Sequence, residues 1–133
     1  MVANVDPMSS DPTIEADFEK LLDGNAIEVV AAARAVRTAV KAAMPDAVEQ
    51  IDFGNGLLAI GRSRGMRDLL FAVIPHKQWV NLQLADGADL PNPDGLIEGT
   101  GKRIRHVKIR SAEAASSPAV RDAIAAELAH VRG

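Results

Sequence analysis

Between Val48 and Leu84 the chain alternates short apolar stretches with tight turn signals, and that spacing leaves few folds open to it. Val48 to Phe53 reads as a strand. Gly54-Asn55-Gly56 follows, and Asn-Gly tolerates the positive φ angles that a tight hairpin turn needs. Leu57 to Arg62 is the return strand, and Ser63-Arg64-Gly65 is a second turn. Leu69 to Ile74 is apolar at nearly every position, which predicts a central strand covered on both faces. Pro75-His76-Lys77 leads into Trp79 to Leu84. There Val80, Leu82 and Leu84 point to one side, and Trp79, Asn81 and Gln83 to the other. Connections this short force antiparallel pairing.

The flanks have a helical period instead. Asp11-Pro12 resembles a helix start, an Asx cap followed by proline at the first helical position. A short helix is predicted from about Thr13 to Asp23, stopping at Gly24. Asn25 is read as the cap of a second helix, with Glu28 completing a capping box. Val29, Ala33, Val36 and Val40 then form one apolar stripe, with Arg34, Arg37 and Lys41 assigned to the water side. Pro45 ends that helix. After the fourth strand, Ala85 to Lys102 is a long connection rich in Asp, Pro and Gly, within which Leu96, Ile97 and Glu98 are predicted to form one helical turn. Arg103 to Arg110 is the fifth strand. Val107 and Ile109 point one way; His106, Lys108 and Arg110 point the other. Arg105 falls on the apolar side and is read as a strand-end residue beside a bulge, since Ile104 breaks the alternation. Ser117-Pro118 opens a closing helix with the stripe Val120, Ile124, Leu128 and Val131.

The predicted fold is α+β: a five-stranded, mainly antiparallel meander. Two N-terminal helices and one C-terminal helix pack mainly on one face. Residues 13–133 are one domain, and residues 1–12 are read as a disordered N-terminal tail. At 133 residues such a chain can bury a core without staples. The absence of cysteine excludes disulfides, thiolate nucleophiles and Cys-bound zinc. No stretch is apolar for long enough to span a bilayer, and the first dozen residues hold no signal-peptide core, so a cytoplasmic location and no membrane partner are the expectation. A net charge of −3 makes nucleic acid an unlikely partner, because general nucleic-acid binding needs a broad basic surface.

Within this acidic chain, five of the fifteen Lys and Arg residues fall between Lys102 and Arg110. The segment from Gly99 reads Gly-Thr-Gly-Lys-Arg-Ile-Arg-His-Val-Lys-Ile-Arg. It is not a nucleotide-binding P-loop. The glycine spacing is one residue too long, Arg103 stands where a hydroxyl residue would hold magnesium, and a strand follows instead of a helix. Backbone N–H groups of Gly99, Thr100 and Gly101, beside Lys102 and Arg103, are the candidate cradle for a small anion. Both basic residues are expected to be dispensable for folding. The second candidate is the open sheet face, where Trp79, Asn81, Gln83, His106, Lys108 and Arg110 combine an aromatic, amides and cations. Trp79 is equally a candidate for a homodimer interface. His76, His106 and His130 lie in different elements, and Asp86, Asp89, Asp94 and Glu98 lack the spacing of a calcium loop. No serine sits in a nucleophile elbow. The expectation is therefore a non-enzymatic module with no metal-ligand motif.

Three stretches resemble a known family. Pro45-Asp46-Ala47-Val48-Glu49-Gln50-Ile51-Asp52-Phe53-Gly54 follows a helix, Lys77-Gln78-Trp79-Val80-Asn81-Leu82 follows the meander, and a Gly-Lys strand precedes the closing helix. Together they resemble the YdhG-like domain family over about Ile14 to Val131. The match is carried mainly by fold signatures. Ile51-Asp52-Phe53-Gly54 stands where the family often has Ile-Ser-Tyr-Gly, and Trp79 where a histidine is common. The resemblance implies the same α+β fold and, for some members, a frataxin-like iron chaperone. Iron is thus the one cofactor it suggests, though no ligand residue can be matched. The function expected from the residues themselves is binding of a small anionic ligand or a protein partner, through Gly99 to Arg103, His106, Lys108, Arg110 and Trp79.

Overall fold

The structure, a computed structural model, describes residues 12–131. Of the predicted tail, residues 1–12, the first eleven lie outside them, and Pro12 is not tail but the first residue of a helix. Among the described residues, α1 (Pro12–Leu22) and α2 (Ile27–Ala43) precede β1 (Val48–Asp52), β2 (Leu57–Gly61), β3 (Leu69–Pro75) and β4 (Val80–Leu84). The long connection leads to β5 (Arg105–Ile109), then α3 (Ala112–Ala115) and α4 (Pro118–Ala129). The strands form one sheet in the order β1-β2-β3-β4-β5, every neighbour antiparallel. From β1 to β4 chain order and sheet order coincide because each connection is too short for a crossover; the long connection after β4 also returns β5 antiparallel to its neighbour. No helix among the described residues is long and apolar enough to cross a membrane.

Period-two alternation divides the sheet into two faces. Leu58 and Ile60, Phe71 and Val73, Val80, Leu82 and Leu84, and Val107 and Ile109 are all fully buried on one of them. The stripe Val29, Ala33, Val36 and Val40 of α2 and Val120 and Ile124 of α4 are buried in the same core. Each large side chain fully buried this way stabilises the fold by about 1.5–3 kcal/mol. β3 is central, as its composition implies, but helices cover only one of its faces. On the other, Ala72 is buried by its strand neighbours and Ile74 stays half-buried.

Several local expectations need correction. Asn25 does not cap α2. Its side chain donates to the Leu22 carbonyl and closes α1 instead, while Ala26 stands at the N-cap of α2 and supplies no side-chain cap. Arg37 does not face water. It is 9% exposed, donates from Nε and Nη2 to both oxygens of Glu49, and reaches Glu15 through Nη1. Leu96 to Glu98 form no helical turn; Glu98 pairs with His106 in an antiparallel bridge, and a 3-10 turn lies earlier, at Gly87–Asp89. The bulge falls between Ile60 and Gly61, not near Ile104. Gly61 is required there, since a Cβ would run into the Asp68 carbonyl. A short helix, α3, precedes the closing one. Ser117 does cap α4, accepting from Val120 N–H, with proline at the first helical position. Val131 lies beyond α4 and is exposed. The buried residue near that end is Glu127, whose Oε1 accepts the Asp86 N–H at 2.8 Å and ties α4 to the end of β4.

Candidate functional site

The face of the sheet away from the helices carries the candidate residues in rows set by the strand register. One row runs Gln50, Ala59, Ala72, Gln83 and His106 across the five strands, and ends on Glu98. The next has Asp52 opposite Leu57 on one side, and Ile74, Asn81 and Lys108 on the other. One step along the same β2–β3 ladder brings Leu57 opposite Ile74 and joins the two halves. Trp79 and Arg110 extend β4 and β5 at one end, and His76 joins them there by donating its backbone N–H to the Trp79 carbonyl at 2.8 Å.

Trp79 organises that end. Lys108 Nζ lies 4.7 Å from its ring centroid and the Arg110 guanidinium 5.5 Å. An indole face attracts cations by its quadrupole, each contact worth about 0.5–1 kcal/mol at an exposed site. His76 stacks on the same indole with centroids 5.3 Å apart. The indole N–H donates to Asn81 Oδ1 at 2.9 Å, which fixes the amide and leaves its NH2 as a donor. Among the described residues neither Lys108 nor Arg110 forms an ion pair, whereas Arg34, Arg37 and Arg103 are all matched to carboxylates. The ring is therefore engaged already. What this end offers a ligand is two immobilised cations, not a bare stacking platform.

The Gly99–Arg103 segment has a different role from the one expected of its basic residues. Glu98 and His106 exchange both backbone hydrogen bonds, at 2.7 and 3.0 Å, so residues 99–105 form the tip of a hairpin leading into β5. Gly99 takes φ +119°, a region that side chains disfavour, and Gly101 packs against the Ile104 carbonyl so closely that a Cβ would clash. Arg103 donates from Nη2 to the buried Asp86 carboxylate at 2.8 Å, and its carbonyl accepts the Ala88 N–H at 2.9 Å. The Asp86 carboxylate, hydrogen-bonded to that guanidinium, holds it firmly protonated. Arg105 opens β5 and bonds the Gly101 carbonyl through Nε, as a strand-end residue. Arg103 is thus a structural clasp between the hairpin tip and the end of β4. That contact gives Arg103 a partner within the fold, which the expectation that it is dispensable for folding did not include. Only Lys102 of the pair is left without a recorded partner among the described residues.

The nine candidate residues do not converge on one point. Trp79, Lys108 and Arg110 occupy one end of the β4–β5 pair; Gly99, Thr100, Gly101, Lys102 and Arg103 lie beyond the other. The five-residue length of β5 separates them by about 16 Å at the usual strand rise. His106 belongs to the open face but borders the hairpin, its Nδ1 3.5 Å from where a Gly99 Cβ would stand. His76, one of three histidines in separate elements, belongs to the cluster as well. The signal was present, an aromatic three residues after a histidine across a tight turn. Asp86 and Glu127 carried no such signal, because their partners are distant in the chain.

Elsewhere, a cleft of about 240 Å3 opens between the Pro91–Ile97 segment and α4. None of the nine candidates lines it. Among the described residues no group of three or more His, Asp or Glu side chains is placed to hold a metal ion. His130 approaches Asp89 at 3.7 Å, remote in sequence from His76 and His106. Comparison with known proteins finds no matching family model, no matching curated protein and no matching solved structure.

Proposed function

We propose that this chain is a non-enzymatic binding module for an anionic group, a phosphate or a carboxylate, received on the open sheet face by Lys108 and Arg110. The observation that carries this reading is the pair of cations held over Trp79 with no carboxylate partner among the described residues. In a chain of net charge −3, two such cations on an uncovered sheet face concentrate positive potential where it is unopposed. The Asn81 amide, Gln83 and His106 extend the surface with hydrogen-bonding groups along the next positions of β4 and β5. The Gly99–Arg103 hairpin supports this face from the far end instead of forming the cradle itself. Membership of the YdhG-like family stays part of the proposal, carried by the sequence motifs. No observation favours an iron role.

The chain has one tryptophan and no tyrosine, so its intrinsic emission reports on this cluster alone. Titration with inorganic phosphate or acetate at low salt should change Trp79 emission saturably, and added salt should reverse the change. Lys108→Gln with Arg110→Gln should weaken the apparent affinity at least tenfold. An emission that does not respond, or responds equally in the double variant, removes the reading.

A further inference from the structure

We infer that the partner fitted to the open sheet face is a second copy of this chain, and that Asp52 of that copy supplies the carboxylate received by Lys108 and Arg110. The inference rests on the anion-site reading above and names its anion.

The charge pattern carries it. Read across the strands, one row passes from an acid on β1 (Asp52), through Leu57 and Ile74, to an amide on β4 (Asn81) and a base on β5 (Lys108). The adjoining row is low in relief at its centre, where Ala59 pairs with Ala72. Along the first row the face is therefore apolar in the middle, acidic at one margin and basic at the other, with Glu98 beyond His106 on the adjoining row, and helices cover only the opposite face. Two such faces can stack about a two-fold axis in two simple ways. An axis lying across the strands sets β1 on β1 and β5 on β5, and opposes like charges. An axis lying along β3 sets β1 of each copy on β5 of the other. Asp52 then meets the Lys108–Arg110 pair twice, Ile74 and Ala72 meet their own counterparts, and Leu57 and Ala59 lie over Asn81 and Gln83. Like-charge repulsion eliminates the first arrangement and complementarity selects the second. A closed two-fold contact of this kind uses one patch on both copies.

Asp52 is prepared for the role. Asn55 donates to it twice, from its backbone N–H at 3.0 Å and from its side-chain amide at 2.8 Å, so the carboxylate is fixed in place at the margin. The alanine centre admits the spacing of about 10 Å at which sheets pack face to face. The face measures roughly 20 Å by 16 Å at ordinary strand spacings. Two such faces bury only about 640 Å2 between them, below the range of stable specific interfaces and in that of weak encounters, so the dimer is weak, exchanges rapidly and depends on salt.

Sedimentation velocity on the full chain over the micromolar range tests this, with phosphate titration of Trp79 emission run alongside. The expected result is a concentration-dependent dimer that dissociates in high salt. Asp52→Lys and Lys108→Asp should each weaken it at least tenfold, and the two together should restore it. Ile74→Glu alters the centre of the face without touching the turn that Asp52 caps, and should also abolish the dimer; its melting curve confirms folding if Asp52→Lys does not fold. A dimer indifferent to Ile74→Glu, or a double reversal that folds but fails to restore association, overturns the inference. A monomer at all concentrations that still binds phosphate through Lys108 overturns it and leaves the anion site standing. A monomer that binds no phosphate removes both.

Discussion

Arg37 of α2 and Glu49 of β1 are joined by two hydrogen bonds, Nε to Oε2 at 2.6 Å and Nη2 to Oε1 at 2.9 Å. The Glu49 side chain is only 5% exposed, and the pair lies where the helix layer meets the first strand. Arg37 also packs over the Phe18 ring at 5.2 Å, so one guanidinium links α1, α2 and β1. Burying two charges is unfavourable until they satisfy one another, and the geometry here does so.

Removing one partner should therefore cost more than removing both. Arg37→Ala leaves Glu49 buried with only Lys41, at 3.3 Å, to balance it, and should destabilise the fold by about 3 kcal/mol. Arg37→Met with Glu49→Leu should recover most of that loss. Chemical denaturation of the parent and the two variants decides the point, and a double variant as weak as the single one would show that the pair is not acting as a unit.

Arg103→Ala should lower the melting temperature, because the buried Asp86 carboxylate loses the guanidinium that closes the hairpin onto β4. Lys102→Ala should leave the melting temperature unchanged. Equal effects of the two substitutions would contradict the division of labour between them.

Ser117→Ala removes the hydroxyl that accepts the Val120 N–H at the start of α4 and should cost about 1 kcal/mol. Glu127→Ala at the other end of the same helix should cost more, since it also frees the Asp86 N–H from its buried acceptor. Thermal melts rank the two.

Asp52 gives the fold a defined acid response. The Asn55 side-chain amide, and then its backbone N–H, hold this carboxyl below its ordinary value of 3.8. A group depressed by folding contributes stability that is complete above its unfolded value and fades as pH falls through the folded one. Wild type should therefore melt above Asp52→Asn at neutral pH, with the gap closing as pH drops below the ordinary carboxylate range. A gap that is constant with pH would mean that the amide contacts do not depend on ionisation.

The meander was legible because its information is local. Alternation at Val80, Leu82 and Leu84, and the Asn55-Gly56 turn, act within a few residues, and Ser117-Pro118 announces its own helix. The side-chain parity that puts Trp79 beside Lys108 follows from the same period. Arg37 was misassigned because an apolar stripe read alone treats every intervening cation as solvated, and its decisive partner lies on the following strand. The partner of Arg103 was hidden for the same reason: Asp86 is seventeen residues earlier and becomes its neighbour only once the long connection folds back. Where a residue's environment was made by alternation along its own strand, the sequence declared it. Where it was made by a distant carboxylate, it did not.

Since each strand of the sheet pairs with the one just before it in the chain, the growing polypeptide can zip the layer together hairpin by hairpin, in order of synthesis. Loop-closure entropy is met in small instalments, which is the condition for rapid folding of a β-containing domain. The larger closures are the long connection that brings β5 back to β4 and the return of α4 to the α2 side of the sheet. Both join residues far apart in the chain, so they carry the greater entropic cost.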